Sequence, residues 1–215
     1  MATIADNLQA IGKRLGTVTL LAVSKGQSAA RIREAAAAGQ RAFGENYVQE
    51  ALEKMQQLQG LEWHLIGPLQ SNKTRAAAEH FDWVQTVASE KIARRLSEQR
   101  PAGMAALNVL IQVNTSGEST KSGVSKDEVF ALSEKIVSLK NLRLRGLMAI
   151  PEPGAPRSRY AEIRRIYDEL KGRFGFDTLS MGMSDDMALA IAEGATMVRI
   201  GTAIFGAREK ARNVA

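Results

Sequence analysis

At 215 residues with 45% hydrophobic content, the chain is long enough for one well-filled core; single α/β barrels commonly run to roughly 250 residues, so one domain over residues 1–215 is expected rather than two. It contains no cysteine and only two histidines, His64 and His80, which excludes disulfides and thiolate metal sites, leaves little for an imidazole site, and gives no expectation of a metal. The 29 Lys and Arg against 23 Asp and Glu give a net charge of +6. Such an excess can attract nucleic acid, but basic and acidic residues interleave along most of the chain and only Arg208–Arg212 is locally basic. No aromatic-rich RNA-binding signature accompanies that tail, and no nucleic-acid partner is expected.

The N-terminal stretch Met1–Leu15 is amphipathic and reads as an extra helix. It lacks the continuous apolar segment of a signal peptide, and no apolar run approaches the ~18 residues of a membrane span, so a soluble cytoplasmic protein is expected. Thr17–Val23 is rich in β-branched and aliphatic residues and short enough for a buried strand. Ser28–Ala38 then reads as a helix ended by Gly39. Strands follow at Arg41–Phe43, Glu62–Ile66, Trp83–Thr86, Leu107–Val113, Leu142–Ala149, Thr178–Ser180 and Met197–Ile200. Helices alternate with them at Tyr47–Gln59, Asn72–His80, Glu90–Gln99, Lys126–Leu139 (capped by Ser125), Arg157–Lys171 and Asp185–Glu193, with a last helix after the eighth strand. Alternating β and α units without a long linker imply a parallel sheet. About eight units predict a closed (β/α)8 TIM-type barrel, with a doubly wound open sheet as the structural alternative. No G-x-G-x-x-G follows the first strand, so dinucleotide binding has no support.

In a barrel, function sits just after the strands. The first strand ends in Ser24-Lys25. A lysine at the end of a buried strand is partly desolvated, which lowers its pKa and exposes a nucleophilic amine able to condense with an aldehyde; the competing reading is a loop lysine reaching water. The second strand leads into Gly44-Glu45-Asn46, and His64 alternates with apolar neighbours on the third, as a pocket residue or a hydrogen-bonded core histidine. After the fifth strand comes a polar loop with Lys121. The seventh leads into Ser180-Met181-Gly182-Met183-Ser184-Asp185-Asp186, and the eighth through Arg199 into Gly201-Thr202. Barrels often bind phosphate with these two loops and a short helix start. Ser184 and Thr202 supply hydroxyls, as anion ligands or as plain helix caps, and Gly201 lets an oxyanion approach. Arg199, between Val198 and Ile200, points to the other side of the strand and needs an acceptor. An amine on one wall and a phosphate cradle on the other fit a phosphorylated carbonyl ligand.

The segments LLAVSKGQ, FGENYVQE, WHLIGPLQSNK, VNTSGESTKSGV, LRGLMAIP and SMGMSDDMALAIAEGATMVRIGTAIFGAR closely resemble the pyridoxal phosphate homeostasis protein family, single-barrel proteins similar to the N-terminal domain of alanine racemase. The resemblance runs from about Leu20 to Arg208. It implies a pyridoxal 5′-phosphate (PLP) binder without established catalytic turnover, involved in cofactor supply to PLP-requiring apo-enzymes, and a monomer. It also implies a Schiff base on Lys25, Arg199 facing the pyridine nitrogen, and a phosphate cradle of Ser184, Gly201 and Thr202. Asn46 would lie beside the cofactor, with His64 and Met183 lining the pocket and Lys121 as a possible further contact. Many members carry a second lysine where this chain has Gln27.

An arginine at the ring nitrogen opposes a second positive charge there and so disfavours the electron-sink state that transamination uses. Racemisation remains compatible, but needs an acid or base on each face of the substrate α-carbon. Lys25 could serve one face, and none of Tyr47, Tyr160 and Tyr167 falls at a predicted strand end. The expected function is therefore a PLP-holding protein, with a slow PLP-dependent amino-acid racemase as the alternative and an RNA- or protein-binding barrel regulated by PLP as a third class.

Overall fold

The short aliphatic runs pair edge to edge, and the amphipathic segments between them cover the outside. In the computed structural model, which describes residues 2–115 and 122–206, α1 (Ile4–Leu15) leads into β1 (Thr19–Val23), α2 (Ala29–Ala37), β2 (Ala42–Glu45), α3 (Val48–Met55) and β3 (Glu62–Leu65). Next come α4 (Thr74–His80), β4 (Trp83–Val87), α5 (Glu90–Gln99), β5 (Leu107–Val113), α6 (Lys126–Val137) and β6 (Leu142–Ala149). The chain continues through α7 (Arg157–Phe174), β7 (Thr178–Ser180), α8 (Met187–Ala192), β8 (Met197–Ile200) and α9 (Thr202–Phe205). Each strand pairs in parallel with the next, and β8 closes onto β1 with Leu21 beside Arg199. This is a closed TIM-type barrel with an additional N-terminal helix, not the open doubly wound sheet. Lys121 and the basic stretch 208–212 lie outside the described residues.

Side-chain alternation along the strands divides the interior in two. Outward residues such as Ala22, Phe43, Leu65, Val84, Val109, Leu147 and Val198 join the buried helix faces in one large cluster. Inward residues form two small groups, Leu21, Ala42 and Met197 with Ile66 against them, and Trp83, Leu110 and Met148. Buried polar residues link these groups: His64 stacks on Trp83 with ring centroids 5.0 Å apart, and Gln85 reaches the Met197 sulfur at 3.2 Å. α1 buries Ile4, Leu8, Ile11 and Leu15, a helical i, i+4, i+7, i+11 stripe. It starts with a reciprocal capping box between Thr3 and Asp6, and Asn7 Nδ2 donates to the Ile204 carbonyl at 2.9 Å, tying it to α9.

Two departures from the expected elements bear on the site. The helix expected over Asn72–His80 begins as a 3-10 turn at Ser71–Lys73 before α4. β2 continues two residues past Phe43, through a glycine and a glutamate that interrupt its apolar run. Gly44 is tolerated because Leu21 and Ile66 fill the space in front of it; a β-carbon at this position would meet them at 3.0–3.2 Å. Glu45 is tolerated because Lys54 of α3 reaches its carboxylate at 2.7 Å. The longer strand places Tyr47 two residues past its end, 66% exposed.

Gly67, just after β3, packs directly on the backbone of Asn46: a β-carbon there would sit 2.1 Å from the Asn46 carbonyl oxygen. Both backbones would have to shift to accept a methyl group. Gly67→Ala should therefore lower the unfolding free energy by about 1–3 kcal/mol, read from urea denaturation at neutral pH. A variant as stable as the parent would show that the approach of these two loops is not tight in solution.

Candidate functional site

The strand C-termini open into a cavity of about 270 Å³. Its wall contains Lys25 and Gln27 after β1, Asn46 after β2, Ile66 after β3 and Ile150 after β6. Met183, Ser184 and Asp185 come from the β7–α8 loop, and Arg199, Gly201 and Thr202 from β8 and the start of α9. The structure thus brings together Lys25, Asn46, Met183, Ser184, Arg199, Gly201 and Thr202. It does not bring His64 to that wall. His64 is fully buried one layer down in the barrel, between Glu62 and Gln85, because its position on β3 lies two residues before the Ile66 that does reach the cavity.

Lys25 sits in a loop gripped on both sides. The Ser24 carbonyl accepts from Lys54 Nζ at 2.8 Å, and the Ser24 hydroxyl donates to Glu45 Oε1 at 2.5 Å. On the other side, the Gly26 N–H donates to Glu50 Oε1 at 2.6 Å, and the same carboxylate accepts from Lys54 at 2.7 Å. One buried ammonium therefore joins β1, β2 and α3 around the candidate Schiff-base lysine. Burial pushes the Glu45 carboxyl above its usual range, with the Lys54 charge opposing. Lys54 falls three residues after Ala51 and six after Val48, on the buried face of α3; that placement is the sequence signal that could have revealed it.

Arg199 is 4% exposed. Its Nη1 donates to Ser180 Oγ at 2.8 Å and its Nη2 to the Ala149 carbonyl at 2.9 Å. Burial pushes its pKa down to about 10, with the Asp186 charge opposing, so the guanidinium stays charged at neutral pH. Asp186 also shapes the loop carrying Ser184: it accepts from the Met183 N–H and from the Tyr160 hydroxyl. The same loop turns at Gly182, whose φ of 95° favours glycine and whose β-carbon would meet Ala190 at 2.4 Å. The N-cap positions of α8 and α9 are Asp186 and Gly201, so Ser184 and Thr202 are not caps. Asp185 and Asp186 carry no distinct signal in the sequence, because a DD pair after a strand also reads as an ordinary helix start.

The buried ion pair and the buried histidine give two stability predictions. Lys54→Met should leave Glu45 buried without its cation and lower stability by about 3–5 kcal/mol, measured by urea denaturation. His64 has its pKa lowered by burial, with the Glu62 hydrogen bond opposing, and is neutral in the fold. The unfolded chain protonates it below its ordinary value of 6.5, so its contribution is full above that pH and is lost as pH falls below it. The Glu62 carboxyl is lowered, mainly by its hydrogen bond to His64; its contribution is present above its ordinary value of 4.5 and is lost below, in a separate window. Denaturation midpoints should therefore decline from about pH 6.5 to 5, and His64→Gln should flatten that decline.

Residues 1–209 match the family model described as alanine racemase, N-terminal domain. The chain is 57% identical to the pyridoxal phosphate homeostasis protein of Pseudomonas aeruginosa, over 97% of both chains. It is 53% identical to the protein of that name from Escherichia coli K12, over 97% of this chain and 95% of the relative. Among solved structures, PipY from Synechococcus elongatus with PLP bound superposes with a TM-score of 0.86 at 40% identity, covering 95% of this chain and all of PipY. Alanine racemase from Corynebacterium glutamicum, at 19% identity and a TM-score of 0.75, shares the fold over 97% of this chain and 61% of its own length. With a barrel and an aligned sequence that both match over nearly their whole length, the chain belongs to the pyridoxal phosphate homeostasis protein family.

Proposed function

We propose that this chain, as one domain over residues 1–215, holds PLP covalently on Lys25 and acts in PLP homeostasis and supply. The observation that carries the reading is the meeting of Lys25 and Arg199, from the adjacent strands β1 and β8, in the wall of one cavity with Ser184, Gly201 and Thr202. PLP supplies an aldehyde that condenses with an amine and an electron-withdrawing ring. The residues present fit such a group. Lys25 offers the amine, and the loop around it is fixed by Lys54 and Glu50. Ser184 and Thr202 offer hydroxyls to a phosphate, whereas a β-carbon at Gly201 would meet Val23 at 3.2–3.3 Å, so this glycine serves close packing on β1. Arg199 would offer a permanent cation to the ring of such a group and disfavour a second positive charge beside it. Asn46 and Met183 line the same cavity and would sit beside the group, while Gln27 places a neutral amide where a second lysine would stand.

The cavity favours holding over turnover. Among the described residues in its wall, the ionisable groups are Lys25, Asp185 and Arg199, and no tyrosine is present. Tyr160 is buried and donates to Asp186, and Tyr167 is buried against the Phe176 carbonyl. In this reading the protein is a cytoplasmic monomer that passes cofactor to PLP-requiring apo-enzymes. No helix among the described residues is long and apolar enough to cross a membrane.

Borohydride reduction after PLP addition should fix the cofactor to the peptide containing Lys25, and Lys25→Ala should abolish that adduct; an adduct elsewhere, or none, would overturn the reading. Ser184→Ala and Thr202→Ala should each weaken PLP binding by about 1–2 kcal/mol through lost charge-assisted hydrogen bonds, measured by equilibrium titration. Incubation with L-amino acids and chiral detection separates holding from racemisation, since rapid racemisation lost in Lys25→Ala would make the protein an enzyme.

A further inference from the structure

The barrel interior carries a continuous line of hydrogen bonds that the cavity alone does not explain. Arg199 Nη1 meets Ser180 Oγ at 2.8 Å, Ser180 Oγ meets Gln85 Oε1 at 2.7 Å, Gln85 Nε2 meets His64 Nδ1 at 2.9 Å, and His64 Nε2 meets Glu62 Oε1 at 2.7 Å. Ser180, Gln85 and His64 have no exposed surface, whereas the Glu62 side chain is 47% exposed at the opposite end of the barrel. The donor direction is forced from both ends. A guanidinium can only donate and a carboxylate can only accept. Glu62 thus fixes the proton of His64 on Nε2, which leaves Nδ1 to accept from the Gln85 amide. The Gln85 oxygen then takes the Ser180 proton, and the Ser180 lone pairs receive Arg199. Every dipole in the line points the same way, between a buried cation and a surface anion, and in a low-dielectric interior such chains polarise one another.

We propose that Ser180, Gln85, His64 and Glu62 are positioning residues for Arg199, a polarised relay through the barrel that fixes the guanidinium at the cavity floor and stabilises its charge there. The consequence for PLP rests on the proposed function; the positioning itself does not. Other charges face the two ends. Asp186 acts on Arg199 from the β7–α8 loop, with Lys25 and Asp185 in the same cavity wall. Asp82 acts on His64, and Arg145 of β6 acts on Glu62. These groups are unchanged in the variants below.

Gln85→Leu interrupts the relay at nearly constant volume, and Glu62→Gln removes only the remote charge from a half-exposed position. In the unliganded proteins, side-chain NMR of labelled arginine should show the Arg199 Nη protons exchanging faster in Gln85→Leu than in the parent. With PLP, Gln85→Leu should raise the dissociation constant roughly five- to tenfold, Glu62→Gln should raise it by a smaller factor, and both should move the pH at which the visible absorbance of bound PLP changes. If melting temperature alone falls while exchange, affinity and that pH stay at parental values, the relay is only structural and the proposal is overturned. Should Gln85→Leu fail to fold, the affinity and absorbance of Glu62→Gln decide by the same criterion. A parent that takes up no PLP would sink the proposed function but not the relay, which the NMR comparison, made with Glu62→Gln if necessary, then decides alone.

Discussion

A guanidinium in the middle of a barrel must be supplied with acceptors, because an unpaired buried charge costs far more than any single packing contact returns. Much of the interior follows from meeting that demand for Arg199. Its immediate acceptors are neutral, the Ser180 hydroxyl and the Ala149 carbonyl, and they come from β7 and β6. Ser180 accepts from Arg199 and gives its own proton to Gln85, whose amide also meets His64. An apolar layer at this level would leave Arg199 with half of its bonds. The cost is an interior split into two small apolar groups, and the large apolar cluster that holds the fold together lies instead between the barrel and its helices.

The sequence made the architecture legible because each layer has its own period. Leu107–Val113 is apolar enough to be buried on both faces and Leu142–Ala149 is buried over its last four residues, and their limits coincide with those of β5 and β6. β2 reads two residues short in the sequence, since Gly44 and Glu45 look like a strand end until Lys54 is known to lie opposite. Strand-end residues were legible for the same reason as the strands: in a barrel, the position after the last apolar residue points to the mouth. His64 shows the limit of that rule. Alternation correctly turns it inward, but alternation does not give depth, and a residue two positions before the strand end faces the layer beneath the cavity. Gln85 and Ser180 carried no signal of their own, because a polar residue inside a short strand is meaningful only when its neighbours from other strands are known. Asp186 and Glu50 were hidden similarly, as ordinary helix-start and helix-surface acids that the fold turns toward backbone N–H groups.

The two buried cations near the mouth are balanced in different ways, and the difference determines what the cavity attracts. Lys54 is matched by two carboxylates within 2.7 Å, so its positive charge is cancelled locally and little of it reaches the cavity. It acts on the site mechanically, by holding the backbone on either side of Lys25. Arg199 is bonded directly to neutral groups, and the carboxylate that ends its chain lies across the barrel. Its charge is therefore stabilised without being cancelled and remains available at the cavity floor, where surrounding low-dielectric walls preserve its field. Asp185 is the acid in the same wall, and Asp186 acts on Arg199 from the β7–α8 loop without bonding to it. Moving an acid next to Arg199 would make the guanidinium easier to bury, yet it would cancel the charge that the present neutral acceptors leave intact at the cavity floor.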